Sequence, residues 1–195
     1  MNAYKDYIVS PMGGRYNNSV QVGKRELILN TEIFNHQYVN RLAKVIATPL
    51  LFSSPINVGD EVIVHHNIFR RWHDVRGVER NSRSYINDNE YLASEDQVYL
   101  YKKDKWIATS GFSFIKPLKS IDEFSVEDER PLIGIVKYSD GSFNKGELVG
   151  VRPDSKYEFI INGERLYRVM NKFITIKYEY QGNEEEYNPS WAQSS

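Results

Sequence analysis

Cysteine is absent from the 195 residues. That excludes disulfide scaffolds, thiolate nucleophiles and cysteine-based zinc or iron–sulfur centres. No apolar run approaches the roughly 18 residues that a membrane span needs. The opening residues, Met1 to Asp6, show no basic stretch followed by an apolar one, so no secretory leader is expected. Neither sign of charge dominates: 25 Lys and Arg stand against 26 Asp and Glu, a net charge of −1. This balance argues against a cationic nucleic-acid coat and against an acidic solvating chain, while leaving room for a local basic patch. There is no Walker-type phosphate loop, no His-Glu-x-x-His and no Gly-x-Ser-x-Gly elbow. Acidic pairs such as Glu95-Asp96 and Glu184–Glu186 have no spacing that separates acid–base chemistry from a solvated turn. The expectation is a soluble, non-enzymatic protein of a reducing cytoplasm, without cofactor, metal or membrane partner.

What is abundant points to strands. The chain is 41% hydrophobic, enough to bury a core, and holds 14 Tyr and 9 Phe among many Val and Ile. Its apolar segments are short and bounded by Gly, Pro, Asn or Asp, the punctuation of an all-β domain. Strands are expected at 7–9, 42–47, 61–65, 98–101, 112–115, 133–138, 148–151, 157–161 and 173–178. Alternation places Val98 and Leu100 on one face with Tyr99 and Tyr101 on the other, and sets Tyr157, Phe159 and Ile161 together. Only residues 30–44 could pass for a helix, with Ile33, Phe34, Tyr38 and Leu42 at helical spacing.

Four blocks recur in the same order, the signature of an internal repeat. Ile8-Val9-Ser10-Pro11 parallels Phe114-Ile115-Lys116-Pro117, and residues 42–46 parallel 132–136. Val58-Gly59-Asp60-Glu61-Val62 parallels Lys145-Gly146-Glu147-Leu148-Val149. Ile86-Asn87-Asp88-Asn89, closing on Val98-Tyr99-Leu100, parallels Ile161-Asn162-Gly163-Glu164, closing on Ile174-Thr175-Ile176. The copies differ where loops belong: residues 12–41 face the shorter 118–131, and only the first copy carries residues 65–84. Long connections in compact domains usually bind something.

This order of blocks resembles the GroES-like co-chaperonin family: an opening strand, a long mobile loop, a strand ahead of Val58-Gly59-Asp60-Glu61-Val62, then the hairpin at Asn87-Asp88-Asn89 and an acid-rich turn before a last apolar strand. The resemblance covers residues 5–105 and 112–178. It departs from the family in being tandem, in the insertion at 65–84, and in the short segments 48–57 and 139–144 where bacterial members carry a roof hairpin. In the tandem form and the missing roof it is similar to divergent, bacteriophage-encoded relatives. The resemblance implies two tandem GroES-like small β-barrels. The first spans residues 1–107 with a mobile loop at 12–41, the second spans 108–180, and a polar, loose tail occupies 181–195. It further implies a homo-oligomeric ring that caps an ATP-driven chaperonin to assist folding, does no covalent chemistry, and works in the cytoplasm (the host's, if virus-encoded). The docking residues it implies are Leu27, Ile28 and Leu29, preceded by the flexible-looking stretch Gly13–Ser19. The alternative for those three is an ordinary core strand. In the second copy, Ile121, Phe124 and Val126 lie among acids and read as part of a linker between barrels.

Two further groups remain. His65, His66 and His73 are metal-like, but neighbours on a regular strand point to opposite faces, so a metal site is not expected. Arg70, Arg71, Trp72 and Arg76, with Arg80 and Arg83 nearby, interleave cations with an aromatic, the chemistry of single-stranded nucleic-acid contact. Asp74 and Glu79 dilute that patch and argue against it. The alternative functions are therefore a structural β-barrel of a virus particle or other assembly and, behind it, a nucleic-acid-binding β-barrel.

Overall fold

A computed structural model describes residues 3–17, 19–22, 25–28, 38–122 and 128–194. The fold is all-β, with short 3-10 turns and no α-helix among the described residues. None of its helical turns is long and apolar enough to cross a membrane. The chain divides into two compact units, Met1–Lys105 and Trp106–Ser195.

The first unit is built on β1 (Tyr7–Pro11), β4 (Leu42–Ala47), β5 (Glu61–Val64), β8 (Tyr85–Asn87), β9 (Glu90–Ala93) and β10 (Val98–Lys102). Two short hairpins stand as separate sheets: β2 (Ser19–Val22) with β3 (Arg25–Ile28), and β6 (Arg71–His73) with β7 (Glu79–Asn81). The second unit opens with β11 (Trp106–Ala108). It continues through β12 (Phe112–Lys119), β13 (Glu129–Ser139), β14 (Leu148–Val151), β15 (Tyr157–Ile161), β16 (Glu164–Met170) and β17 (Ile174–Tyr178).

Within the first unit the sheet order is β10-β5-β4-β1-β9-β8; in the second it is β17-β14-β13-β12-β16-β15. Replacing each strand of the first by the strand that the sequence parallels match with it gives the second. Every pairing in these two orders is antiparallel. Both orders are linear, with no pairing among the described residues that closes either into a ring of strands.

The irregularities recur too. On β1 the register slips between Ile8 and Val9, and on β12 between Phe114 and Ile115. On β10 it slips between Val98 and Leu100, where β17 offers Ile174 and Ile176 against a slip on β14. Before β5, Gly59 sits at φ +94° and donates to Val45 O at 2.8 Å; before β14, Gly146 sits at φ +89° and donates to Val136 O at 2.8 Å. Both positions lie where a Cβ is disfavoured, so glycine is the residue that suits this turn.

These bonds also revise two of the sequence parallels. Val9 faces Val45, and Ile115 faces Val136. Leu42 therefore corresponds to Ile133, not to Leu132, which lies outside the shared register at φ +57°. The hairpin between β15 and β16 reaches further than that between β8 and β9. Tyr91 follows directly on Glu90, the turn-proximal pair of the first, whereas Tyr167 stands three residues past Glu164 in the second.

The cores follow from alternation. In β4, Ala43, Val45 and Ala47 are buried and Lys44 and Ile46 exposed. Val9, Val62, Val64, Leu100 and Tyr91 are fully enclosed in the first unit; Phe114, Ile115, Leu118, Phe159 and Leu166 are enclosed in the second. On β10 Val98, Tyr99, Leu100 and Tyr101 are all buried, so both faces of this strand are covered. The helix considered for residues 30–44 is contradicted at its C-terminal end, where Leu42–Lys44 pair with Glu61–Ile63; residues 30–37 lie outside the described residues. β-branched Val45 and Ile46, joined to a strand edge already in place, outweigh the helical spacing.

The tail is corrected as well. Rather than lying loose, it docks on its own unit. Lys119 N–H donates to Glu185 O at 2.8 Å, Tyr187 N–H donates to Pro117 O at 2.9 Å, and Leu118 bridges Glu186. The reason is charge. Lys116 is only 2% exposed, and its ammonium donates to Asn188 Oδ1 at 2.8 Å; Lys137 pairs with Glu186 at 2.9 Å. Buried cations need such partners, and the polar tail supplies them.

Asp140 ties three segments of the second unit. Its carboxylate accepts from Gly111 N–H at 2.7 Å, Ser142 N–H at 3.0 Å and the Asn171 amide at 2.9 Å. Burial pushes this carboxyl up, but those bonds more than offset it and hold the group below its ordinary 3.8. A depressed folded value makes its contribution present above about pH 3.8 and lost as pH falls through the folded value. Asp140→Asn is therefore expected to lower stability at neutral pH and to flatten the acid limb of a pH–melting profile followed by circular dichroism.

Candidate functional site

The segment that enters β2 and returns from β3 has a fixed base. Met12 N–H donates to Leu42 O at 3.0 Å, Asn17 N–H to Tyr38 O at 2.7 Å, and Asn40 N–H to Arg15 O at 2.9 Å. Asn40 is 2% exposed; its amide donates to Met12 O and Gly14 O, and its Oδ1 accepts from Leu42 N–H, each at 2.9 Å. The stretch expected to be flexible from Gly13 is thus placed through Asn17, because the side chains of Asn40, Tyr16 and Arg15 anchor it. Tyr16 is buried, with its hydroxyl accepting from Arg71 N–H at 2.7 Å. Arg15 donates to Phe69 O at 3.1 Å and to Asn81 Oδ1 at 2.8 Å, and its guanidinium lies over the rings of Tyr85 and Tyr91. Asn40→Ala is expected to cost about 2–3 kcal/mol in chemical denaturation, since it strands buried groups that the amide satisfies.

From that base the chain forms its own two-stranded sheet. Leu27 pairs with Val20, and Ile28 with Ser19. This sheet joins neither larger one among the described residues, so β3 is not a strand of either main sheet. Leu29 lies outside the described residues.

The insertion at 65–84 is structured. The strand ends at Val64 and the chain turns through a 3-10 turn, His66–Ile68, capped by His65, whose Nδ1 accepts from Asn67 N–H at 3.0 Å. The rings of His65 and His66 therefore stack, with centroids 4.3 Å apart, instead of pointing to opposite faces of a strand. Ile68 and Phe69 are completely buried and root the insertion in the core, with Phe69 edge-on to Tyr91 at 4.9 Å.

Beyond this root, alternation on β6 sorts the cations. Arg71 faces Tyr16, its guanidinium 5.0 Å from the ring, and pairs with Glu79 at 3.0 Å. Arg80 pairs with Asp74 at 3.0 Å. The Asp74 carboxyl is held below its usual range, first by the Val78 N–H and then by the Arg76 N–H and the Arg80 guanidinium, against a smaller opposing effect of burial. Arg76 sits exposed in the β6–β7 turn. Arg70 and Trp72, two residues apart, share the other side and line a groove of about 580 Å³ with Asn67, Ser82, Arg83 and Gln97. The sequence-predicted basic patch is thus divided: Arg70 and Trp72 come together, Arg71 is engaged elsewhere and Arg76 lies at the turn. Asn67, Ser82 and Gln97 carried no sequence signal, because they reach the groove from separate turns.

The second unit differs at the corresponding place. Residues 118–119 and 129–131 belong to the ends of β12 and β13, which pair Lys119 with Glu129, so the segment joins two strands of one unit and is not a linker between units. Ile121 is exposed; Phe124 and Val126 lie outside the described residues. Glu129 accepts from the Tyr167 hydroxyl at 2.7 Å and pairs with Lys156 and Arg165, each at 3.3 Å. Burial, then the hydrogen bond to Glu129, pushes the Tyr167 hydroxyl well up. These charges satisfy one another within the second unit.

A scan against models of protein families gives no match for this sequence, and a search among curated proteins gives none.

Proposed function

We propose that this chain is a co-chaperonin of the GroES-like type, made of two duplicated small β-barrels, which caps an ATP-driven chaperonin and docks through the segment around Leu27, Ile28 and Leu29. One observation carries the reading: a six-strand order with its register slips and its glycine turn occurs twice, and among the described residues only the first occurrence sends out a separate hairpin between its opening two sheet strands. A duplicated β-unit with projecting hairpins on its first copy suits a docking protein, with one copy acting as scaffold and the other presenting the contact.

The physics of such a contact is favourable in a ring. A buried aliphatic side chain contributes roughly 1.5–3 kcal/mol. Ordering the contact segment offsets part of that. A single subunit then binds weakly, and several held in one ring bind through avidity. The base formed by Asn40, Arg15 and Tyr16 lowers the ordering cost by fixing where the hairpin leaves the unit.

The test is co-sedimentation of the purified chain with a large chaperonin ring in the presence and absence of ATP or ADP. Nucleotide-dependent co-sedimentation is the expected outcome. Recovery of the chain from purified virus particles, with no chaperonin association under either condition, would favour the structural alternative instead.

A further inference from the structure

We propose that the groove beside β6 binds a nucleoside monophosphate, with the phosphate held by Arg70 and Arg83 and the base stacked on Trp72. The guanidinium groups of Arg70 and Arg83 take part in no ion pair or hydrogen bond among the described residues, and no carboxylate lines the groove. Arg70 Nε is buried without a hydrogen-bond partner, a state that costs free energy unless an anion or other acceptor meets it. Trp72 is 45% exposed, presenting an indole face beside those two cations. Two forked donors next to a flat aromatic surface are the chemistry that recognises a phosphate joined to a ring. The Asn67 amide, the Gln97 amide N–H groups and the Ser82 hydroxyl oxygen offer neutral polar groups for the edge of a base. The Ser82 hydroxyl itself donates to Ile68 O at 2.6 Å, and Gln97 Oε1 accepts from Ser94 N–H at 3.2 Å.

The size and the surrounding charges restrict the occupant to one nucleotide unit. A groove of about 580 Å³ matches a small ligand. An extended strand would need a track of unpaired cations, but Arg71 and Arg80 on the same hairpin are already paired with Glu79 and Asp74. The unit can come as a free nucleotide or as the phosphorylated end of a single strand, and titrations separate the two.

The experiment is isothermal titration calorimetry of the full chain with AMP, inorganic phosphate and a short 5′-phosphorylated oligodeoxyadenylate. AMP should bind, with phosphate alone about tenfold weaker because the stacking is lost. Arg70→Gln, Arg83→Gln and Trp72→Ala should each weaken AMP about tenfold, as expected for one charged hydrogen bond or one stacked base. Arg76→Gln, on the turn outside the groove, should leave AMP binding unchanged. Arg83 is exposed, so R83Q retains its fold and keeps the test decisive even if another variant is unstable. An oligonucleotide that binds as tightly as AMP identifies a strand end as an equally good source. Absence of AMP binding at millimolar concentration, equal weakening in R76Q, or an affinity that grows with oligonucleotide length would each overturn the assignment.

Discussion

Leu27→Asp combined with Ile28→Asp should abolish nucleotide-dependent association with a chaperonin while leaving the melting temperature near that of the parent. Both residues lie on β3, in a hairpin whose sheet is separate from the main sheets, so their replacement removes no strand from the core of either unit. Each substitution exchanges an aliphatic contact worth roughly 1.5–3 kcal/mol for a charge that must be desolvated to enter an apolar groove. Even the lower bound for the pair, about 3 kcal/mol, is over a hundredfold per subunit, and a ring compounds it. Retained binding in the double variant would remove Leu27 and Ile28 from the contact. A collapsed melting temperature would show that β3 is part of the core after all.

Gly134→Val should damage the second unit severely. A Cβ built on Gly134 would stand 2.7 Å from the carbonyl oxygen of Lys116 and 3.2 Å from Ile115 Cδ1. The first contact is with backbone, in the run where β12 pairs with β13 through Pro117 and Gly134, so it cannot swing aside. Overpacking of this kind costs typically 1–3 kcal/mol. With a backbone atom as the obstacle the upper figure applies, and about 3 kcal/mol corresponds to a fall of roughly 6–12 °C in Tm for a chain of this size. The equivalent place in the first unit, opposite Pro11, is held by Ala43 and accommodates its Cβ in the core. Ala43→Gly should therefore cost only about 1 kcal/mol, the loss of one methyl group and some chain stiffness. A thermal melt of both variants checks the contrast; equal and small effects would contradict the crowding at Gly134.

How much of this could be read from the chain alone depends on burial. Strands with buried apolar residues announced themselves: residues 42–47, 148–151 and 157–161 coincide with β4, β14 and β15. Strands without them did not. β7 is exposed at all three positions and β6 and β8 are nearly so, which leaves no apolar periodicity to detect. The parallel blocks were visible as residue types, but register is a hydrogen-bonding property. The identical leucines at 42 and 132 drew the second block one residue out of step with the bonds that Val45 and Val136 make. His65 and His66 were misplaced for a related reason: the strand ends one residue before the pair, and a capped turn replaces strict alternation. In the groove, Arg70 and Trp72 were legible as a cation next to an aromatic. Their polar neighbours were not, since only tertiary folding brings Asn67, Ser82 and Gln97 to one place. The docking at 181–192 was hidden because its residues are polar, and their partners are buried lysines that no local pattern identifies.

Electron microscopy of the chain mixed with a chaperonin ring and nucleotide tests the proposed role most directly. Image averages should show added density seated on the end of the ring, present with nucleotide and missing when Leu27 and Ile28 are aspartate. Chaperonin rings that stay bare at both ends, with the protein dispersed in the background under every nucleotide condition, would contradict it.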